Sequence, residues 1–495
     1  MKLFRIRGGV HPEDHKGLAA DQVIVDLPMP ELLHIPVQQH IGAPAAPVVQ
    51  RGEYVYKGQL LAHSQGAISA PVHAPTSGRI VGIGNYPAHH PSGLSVRTIT
   101  LQPDGKDEWT SELPAPLDPF NSTPEEISAR VAASGIVGMG GATFPSSVKL
   151  NLRSRYQLQK LVINGAECEP YLTCDDRLMR EQADEVVDGI RIMAYALGVK
   201  QTIIGIENNK PEAQRLMVEA CAGFDDVQVV GLPTRYPMGS EKHLVQTLTG
   251  LETPARALTA DIGVVVHNVA TAHAVHRAVR HGEPLVSRVV TVSGGAVNRA
   301  ANLRVLIGTP VDKLIDYCGG LKSSPERMIS GGPMMGQLLP STRVPIVKGS
   351  NGVLALTREE VGIEQEMPCI RCASCVGACP CGLLPLEMAA HARAGDLDGT
   401  VDLGLMDCIA CGSCSFVCPS NIPLVHYFNF AKGELASRQR AQHKQTEIKR
   451  LAEQRTARME EQKRKKMEAM ERRKQEAAAK KAAAAKAKAE QSAQA

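Results

Sequence analysis

Cys369-Ile370-Arg371-Cys372-Ala373-Ser374-Cys375-Val376-Gly377-Ala378-Cys379-Pro380 returns with the same spacing as Cys408-Ile409-Ala410-Cys411-Gly412-Ser413-Cys414-Ser415-Phe416-Val417-Cys418-Pro419. Each run is Cys-x2-Cys-x2-Cys-x3-Cys-Pro, a spacing that ligates [4Fe-4S] clusters, the fourth cysteine of one run reaching the cluster of the other. A tight loop aims three thiolates at one cubane, and the fourth corner must come from elsewhere. Cross-ligation gives one cluster Cys369, Cys372, Cys375 and Cys418, and the other Cys379, Cys408, Cys411 and Cys414. Paired Cys-x2-Cys units also make structural zinc sites, but zinc needs only four ligands and eight positions match here. Of the 13 cysteines, Cys381 lies beside the first run but outside its spacing and reads as a packing residue or one that sits behind the ligands. Cys168, Cys174, Cys221 and Cys318 are scattered and read as buried structural thiols.

Two one-electron clusters make a wire, so the rest of the chain is expected to supply a donor or acceptor. Upstream, Thr123-Pro124-Glu125-Glu126 predicts a helix start, with Thr at the cap, Pro at the first helical position and Glu three residues after the cap. The helix runs into Gly135-Ile136-Val137-Gly138-Met139-Gly140-Gly141-Ala142-Thr143-Phe144-Pro145. A dinucleotide fingerprint follows a strand, opens a helix and is spaced GxGxxG, and this segment meets neither condition. Dense glycines still let backbone amides approach a phosphate or a flat ring, and Lys149 follows to supply positive charge. A glycine-rich turn without ligand is the plainer reading of the segment by itself. Next, Leu161-Val162-Ile163 reads as a buried strand ending in Asn164-Gly165-Ala166-Glu167-Cys168-Glu169-Pro170. An Asn and two carboxylates at a strand end are poor core residues and good partners for a flavin, a ribose or a nicotinamide.

Gly138 to Lys149 together with Asn164 to Pro170 resembles the flavin and NADH site of the flavoprotein subunit of respiratory complex I. Over residues 1 to 430, including the two cysteine runs, the chain resembles the C-subunit family of the Rnf ion-translocating electron transport complex. The resemblance implies that Gly138, Gly140, Gly141 and Lys149 cradle an FMN phosphate and that Phe144 stacks on the NADH adenine. It implies polar contacts to flavin and nicotinamide nucleotide from Asn164, Glu167 and Glu169. Gly239-Ser240-Glu241-Lys242 resembles a Gly-Glu-Glu-Thr segment with Glu241 retained, and His267-Asn268-Val269-Ala270-Thr271 resembles Asn-Asn-Val-Glu-Thr with Asn268 and Thr271 retained. Ala166, Ser240 and His267 depart from the pattern, and they bear on the nicotinamide contacts more than on the phosphate loop.

Residues 35 to 83 read as short strands between turn signals and resemble lipoyl and biotinyl carrier modules. The hairpin tip, His63-Ser64-Gln65-Gly66-Ala67, has no lysine to modify, which favours a structural cap over a swinging arm. A strand Val289 to Ser293 and a helix capped at Thr309-Pro310 and stopped at Gly319-Gly320 resemble a soluble-ligand-binding β-grasp domain. Gly331-Gly332-Pro333-Met334-Met335-Gly336 reads either as a turn with two core methionines or as a partner contact.

The expected fold is multidomain, α+β and α/β. Residues 1–118 hold a barrel-sandwich-like β module, 119–286 a complex I-like FMN/NADH domain, and 287–360 the β-grasp domain. Residues 361–430 form an α-helical, ferredoxin-like domain for two [4Fe-4S] clusters, and 431–495 a charged helical or disordered tail. A length of 495 residues suits about three domains or more. The formal charge of +4 divides unevenly: residues 431–495 hold 19 Lys and Arg against nine Glu, net +10, and the remainder is net −6. The tail's apolar residues hold no heptad, so a coiled coil is not expected. A solvated arm is the plain reading of it and a tether to an anionic membrane surface the sharper one. Nucleic acid is not an expected partner, because no aromatic residue for base stacking lies in the tail.

No apolar run approaches the roughly 20 residues of a spanning helix, and residues 1–9 lack the apolar core of a signal peptide. The expectation is a peripheral protein on the cytoplasmic face of the bacterial inner membrane, bound to integral membrane and iron-sulfur subunits of one complex. Its expected cofactors are two [4Fe-4S] clusters and non-covalent FMN, with NAD(H) as substrate. The expected activity is an NADH-dependent flavin iron-sulfur oxidoreductase within a translocase. A cobalamin reductase of the same architecture and a non-enzymatic iron-sulfur carrier are the alternatives.

Overall fold

Leu161, Val162 and Ile163 are fully buried in the strand Lys160–Gly165, one of the two inner strands of a four-stranded parallel sheet. Gln201–Glu207 pairs with it on one side and Val264–Asn268 on the other, while Val227–Leu232 lies outside Gln201–Glu207. Parallel strands need both faces covered, which is why they read as continuous apolar runs rather than alternating ones. The chain builds outward from Lys160–Gly165 to Val227–Leu232 and then returns to place Val264–Asn268 on the opposite flank. The strand order therefore reverses between Lys160–Gly165 and Val264–Asn268, and in open α/β sheets the carboxyl ends of strands at such a reversal are where ligands bind. Asn164 and Asn268 stand opposite each other in register at that point. Helices Ala183–Leu197 and Val269–His281 cover the sheet and pack so closely that a Cβ on Gly189 would run into the carbonyl of Ala272.

This computed structural model describes residues 3–90, 92–362 and 365–492. The β module pairs a four-stranded antiparallel sheet (Leu33–Pro36, Ser95–Pro103, Gly78–Pro87, Tyr54–Val55) with a three-stranded one (Ala46–Pro47, Leu60–His63, Val72–His73). One apolar cluster runs from Ile80 and Leu101 of the module through Ile127 and Val131 to Ile190 and Val275 beside the parallel sheet. The module thus shares a core with the neighbouring domain, as a cap does. Helix Pro124–Ala133 links the two and starts with the expected capping box, Thr123 and Glu126 each accepting from the other's amide.

The third sheet has the order Ile24–Asp26, Ala301–Leu306, Ser287–Ser293, Gly352–Leu356, Arg327–Ser330, Gln337–Leu338. Its edge strand comes from the start of the chain, so residues 24–26 leave the β module expected to contain them and pair with residues 302–304 instead. The expected helix spans Val311–Tyr317 and ends at Gly319 and Gly320, both with positive φ. Thr309 does not cap it; its hydroxyl donates to the carbonyl of Leu306. Just before Gly352–Leu356, the buried Lys348 Nζ donates to Pro71 O (2.7 Å) in the β module and to Gly135 O (2.6 Å) at the start of the glycine loop. Three modules meet on one ammonium, whose burial lowers its pKa to about 7.

Before these sheets begin, the opening segment crosses the molecule: Gly9 N donates to Ala378 O (2.8 Å), and Val10 bridges to Tyr236. Short helices Ser374–Ala378, Pro385–Arg393, Leu397–Asp402 and Ser413–Phe416 carry the cysteine runs. Residues 429–492 form a second unit, continuing as helix the segment that begins at Leu424. The expected choice between helix and disorder falls to helix, in keeping with Ala, Lys, Glu, Gln and Arg composition and pairs such as Lys465–Glu461 at 2.8 Å. Residues 493–495 of the tail lie outside the described residues. Among those described, no helix is long and apolar enough to cross a membrane.

Candidate functional site

The glycine loop is closed at its base and open at its tip. Gly138 N donates to Phe144 O (2.8 Å) and Ser146 N to Ile136 O (3.0 Å), pinching the loop between helix Pro124–Ala133 and the short helix Ser146–Leu150. Met139 N donates to Thr271 Oγ1 at 3.0 Å, which ties the loop to the start of helix Val269–His281. Asn268 caps that helix through Ala270 N (2.8 Å), and a Cβ on Gly140 would stand 2.9 Å from the Asn268 side chain. Only glycine allows that approach. Among the described residues, the successive amides of Gly140, Gly141, Ala142 and Thr143 have no hydrogen-bond acceptor. Phe144 is half-buried beside them.

Lys149 emerges from Ser146–Leu150 and donates to Val266 O (3.1 Å), with Glu241 3.5 Å away. Glu241 also accepts from Thr259 Oγ1 at 2.8 Å. His267 is buried with its Nε2 unpartnered, and burial followed by the nearby Lys149 charge lowers its pKa to about 3. The predicted Gly138, Gly140, Gly141, Phe144, Lys149, Asn164, Glu241, Asn268 and Thr271 thus gather around the carboxyl ends of Lys160–Gly165 and Val264–Asn268.

Beyond Asn164 the loop is held from below. Asn164 donates to Gly239 O (2.8 Å) and accepts from Ala166 N (3.2 Å). Glu167, with φ of 46°, turns its carboxylate onto the amides of Asp175 (2.7 Å) and Asp176 (3.2 Å), at the start of helix Cys174–Glu181. Glu169 accepts from Met334 N (3.0 Å) and Met335 N (2.9 Å), so the Gly331–Gly336 segment serves as its clamp. The resemblance implies nucleotide contacts for both carboxylates; in the structure each accepts from backbone amides and so shapes the loop. Burial raises both to a pKa of about 7.

Two lysines that carry no motif complete the support. Lys16 Nζ donates to the carbonyls of Glu167 (2.9 Å), Glu169 (2.9 Å) and Leu172 (2.5 Å), and Lys210 Nζ donates to Ala166 O (2.7 Å). Both are buried, and Glu207 stands 3.5 Å from Lys210 as a counter-charge. Buried lysines need such partners, which is the physical reason these side chains converge on carbonyls.

The cysteines divide between two cavities. Cys379, Cys408, Cys411 and Cys414 line one, and Cys369, Cys372, Cys375 and Cys418 line the other. The two runs repeat their local geometry. Arg371 N donates to Cys369 Sγ and Ala410 N to Cys408 Sγ, both at 3.4 Å. Cys372 pairs with Ser374 Oγ and Cys411 with Ser413 Oγ, again at 3.4 Å. Positive φ recurs at matching positions, Arg371 and Ala373 in one run and Ala410 and Gly412 in the other. The first cavity is inner: Tyr236 Oη donates to Cys411 O (2.7 Å), and His243 Nε2 lies 3.0 Å from Pro380 O. The second is outer, with Cys369 and Cys372 exposed.

Against known families, residues 131–277 match the Nuo51 FMN-binding domain and residues 4–106 the RnfC barrel sandwich hybrid domain. Residues 289–338 match the SLBB domain and 368–422 the 4Fe-4S dicluster domain. The C subunit of an ion-translocating oxidoreductase complex from Rhodobacter capsulatus is 60% identical over 90% of this chain and 85% of that protein. The C subunit of a proton-translocating ferredoxin:NAD(+) oxidoreductase complex from Clostridium ljungdahlii is 47% identical over 87% of this chain and 94% of that protein.

The chain belongs to the RnfC family.

A further relative, the C subunit of an ion-translocating oxidoreductase complex from Haemophilus influenzae, is 42% identical over 92% of this chain and 69% of that protein. As a member of the RnfC family, the chain is an electron-transfer component of an ion-translocating oxidoreductase complex, with an FMN-binding domain and an iron-sulfur domain. In this RnfC protein the FMN-domain match takes in every flavin-side candidate from Gly138 to Thr271, and the dicluster match takes in all eight motif cysteines.

Proposed function

We propose that this chain passes electrons between NADH and two [4Fe-4S] clusters through FMN, and on to membrane-bound partner subunits. The observation that carries this reading is the shared position of two features. A loop tip of four unaccepted amides beside Lys149 lies at the strand-order reversal, and the inner cysteine-lined cavity is bonded to the same domain through Tyr236 and His243. Bound FMN would supply the exchange between a two-electron nicotinamide and one-electron clusters. The residues fit such a group: Gly140 and Gly141 leave room for a phosphate, their amides offer donors, and Lys149 offers charge. Thr271 and Asn268 fix the loop's position, and Lys16 and Lys210 hold the 166–172 backbone that follows Lys160–Gly165. Glu167 and Glu169 act by positioning this segment.

Each cavity would hold one cluster, the inner on Cys379, Cys408, Cys411 and Cys414, the outer on Cys369, Cys372, Cys375 and Cys418. The inner site lies next to the flavin domain, and the exposed outer site is the exchange point with partner subunits. The protein sits on the cytoplasmic face of the bacterial inner membrane, its basic helix serving an anionic surface.

Anaerobic reconstitution with cofactor analysis and NADH titration tests the scheme. The expected result is about eight iron atoms, one FMN and NADH-dependent bleaching of cluster absorbance; a protein that binds iron but neither flavin nor NADH is a carrier, and the proposal fails. Lys149→Ala should lose FMN while keeping iron. Unchanged flavin occupancy in that variant would remove Lys149 from the phosphate site.

A further inference from the structure

The two cysteine runs match at every cysteine of the motif and at the closing proline, and part again at the residue that follows. After its fourth cysteine the second run reads Cys418-Pro419-Ser420, and the first reads Cys379-Pro380-Cys381. Both residues line the cavity of the fourth cysteine beside them: Ser420 the outer, Cys381 the inner. Their occupations differ. Ser420 is buried and its hydroxyl donates to Pro368 O at 3.0 Å, closing the run onto the chain ahead of Cys369. Cys381 makes no such tie among the described residues; its sulfur lies near the backbone amide of Ile409, a residue that lines the same cavity, and feels the thiols of Cys379, Cys408 and Cys411. The inner cavity therefore presents five thiols to a group with four corners.

The backbone around Cys381 is built to turn. Gly382 N donates to Cys379 O (3.2 Å) and Leu383 N to Cys379 Sγ (3.4 Å), wrapping residues 379–383 around the Cys379 corner. Gly382 has φ of 66° and open space where a side chain would stand. Gly382 thus sets no side chain against a backbone rotation next to Cys381.

We propose that Cys381 is a reserve ligand of the inner cluster, able to take the corner of Cys379 when that thiolate is lost. The inference rests on the two-cluster reading above. In the exchange an iron–sulfur bond to Cys381 Sγ forms as the one to Cys379 Sγ breaks, the Cys381 thiol proton passes to the departing Cys379 thiolate, and no iron changes oxidation state; with alanine at 379 the proton passes to solvent. The outer cluster has no such reserve, because Ser420 occupies the matching place.

Iron content and electron paramagnetic resonance of the dithionite-reduced full-length protein test this. Wild type should hold about eight iron atoms; a lower number would defeat the two-cluster reading itself rather than the reserve ligand. With eight established, Cys379→Ala should stay near eight with an altered inner-cluster signal. Cys379→Ala combined with Cys381→Ala should fall to about four, as should Cys418→Ala alone. A fall to about four in Cys379→Ala itself overturns the proposal. Should the inner-site variants fail to fold, the outer site decides: adding Ser420→Cys to Cys418→Ala should raise iron from about four towards eight, and no recovery there also overturns it.

Discussion

Lys16 concentrates at one atom the support of a whole loop, because its ammonium meets three carbonyls between Glu167 and Leu172. Leaving buried acceptors without a donor costs about 1–3 kcal/mol. Lys16→Met keeps the side chain's length and removes the donor, so it should lower the unfolding midpoint and FMN occupancy while iron content stays unchanged. Equal loss of iron and flavin would show that Lys16 supports the fold at large rather than this loop. A second residue-scale test concerns acid. The hydrogen bond from His273 (3.0 Å), opposed by burial, holds Glu185 at a pKa of about 2. A carboxylate with a depressed folded pKa stabilises the fold above its ordinary value and loses that contribution as pH falls. Glu185→Gln should therefore be less stable than wild type at pH 7, with the gap closing as thermal unfolding is followed from about pH 4.5 down to 2. The division of eight cysteines into two sets of four, seen here as two cavities, was legible from spacing alone, since cluster geometry constrains neighbouring residues. Lys16 was not, because the carbonyls it serves lie at least 151 residues away and leave no local trace. Glu167 and Glu169 were legible as special, but their partners were not: amides of a helix start and of the Gly331–Gly336 segment look like nothing in a sequence.

At the scale of elements, the contact between Ala183–Leu197 and Val269–His281 depends on Gly189, whose missing side chain lets the helix meet the Ala272 carbonyl. The obstacle is backbone and cannot rotate aside. Gly189→Ala should destabilise the flavin domain by about 1–3 kcal/mol or more despite its gain in helix propensity, read as a lowered denaturant midpoint; an unchanged midpoint would mean that the two helices slide apart freely. Elements written by local rules were readable in advance: the Thr123–Glu126 box starts its helix, and Gly319 and Gly320 end theirs. Ile24–Asp26 shows the other case. Three residues are too few for a periodic signal, and the strand exists only because Ala301–Leu306 offers an edge. Thr309 failed as a cap for a related reason, its hydroxyl being taken by Leu306 O within the preceding strand.

At the scale of the molecule, the charge asymmetry of the chain corresponds to a division in structure between unit 3–428 and the helix beyond it. The helix has no apolar stripe, and its side chains are exposed through its described length beyond residue 449. Basic residues near an anionic bilayer are worth about 1 kcal/mol each at low salt and are screened within a Debye length. Deleting residues 432–495 should leave iron and FMN content unchanged and reduce co-sedimentation with anionic vesicles, the difference vanishing as salt rises. Equal sedimentation of both forms at low salt would make the helix a bystander. The continuous core from Ile80 to Val275 was not foreseeable from the β module's own pattern: the lysine-free hairpin tip pointed to a cap, and the shared interior shows what it is packed against.

The opening segment has a consequence for how the protein is made. Gly9 is bonded to Ala378, and a Cβ on Gly8 would run into the carbonyl of Cys379. At synthesis rates of about 5–20 residues per second, roughly 20–75 s separate the emergence of the two ends of that contact. Lys16 can meet its carbonyls once residues 167–172 have emerged, but Gly8 and Gly9 are seated late, after the first cysteine run has left the ribosome. The nascent chain therefore waits with that glycine pair unplaced, and seating it joins an early-made part of the polypeptide to the iron-sulfur domain.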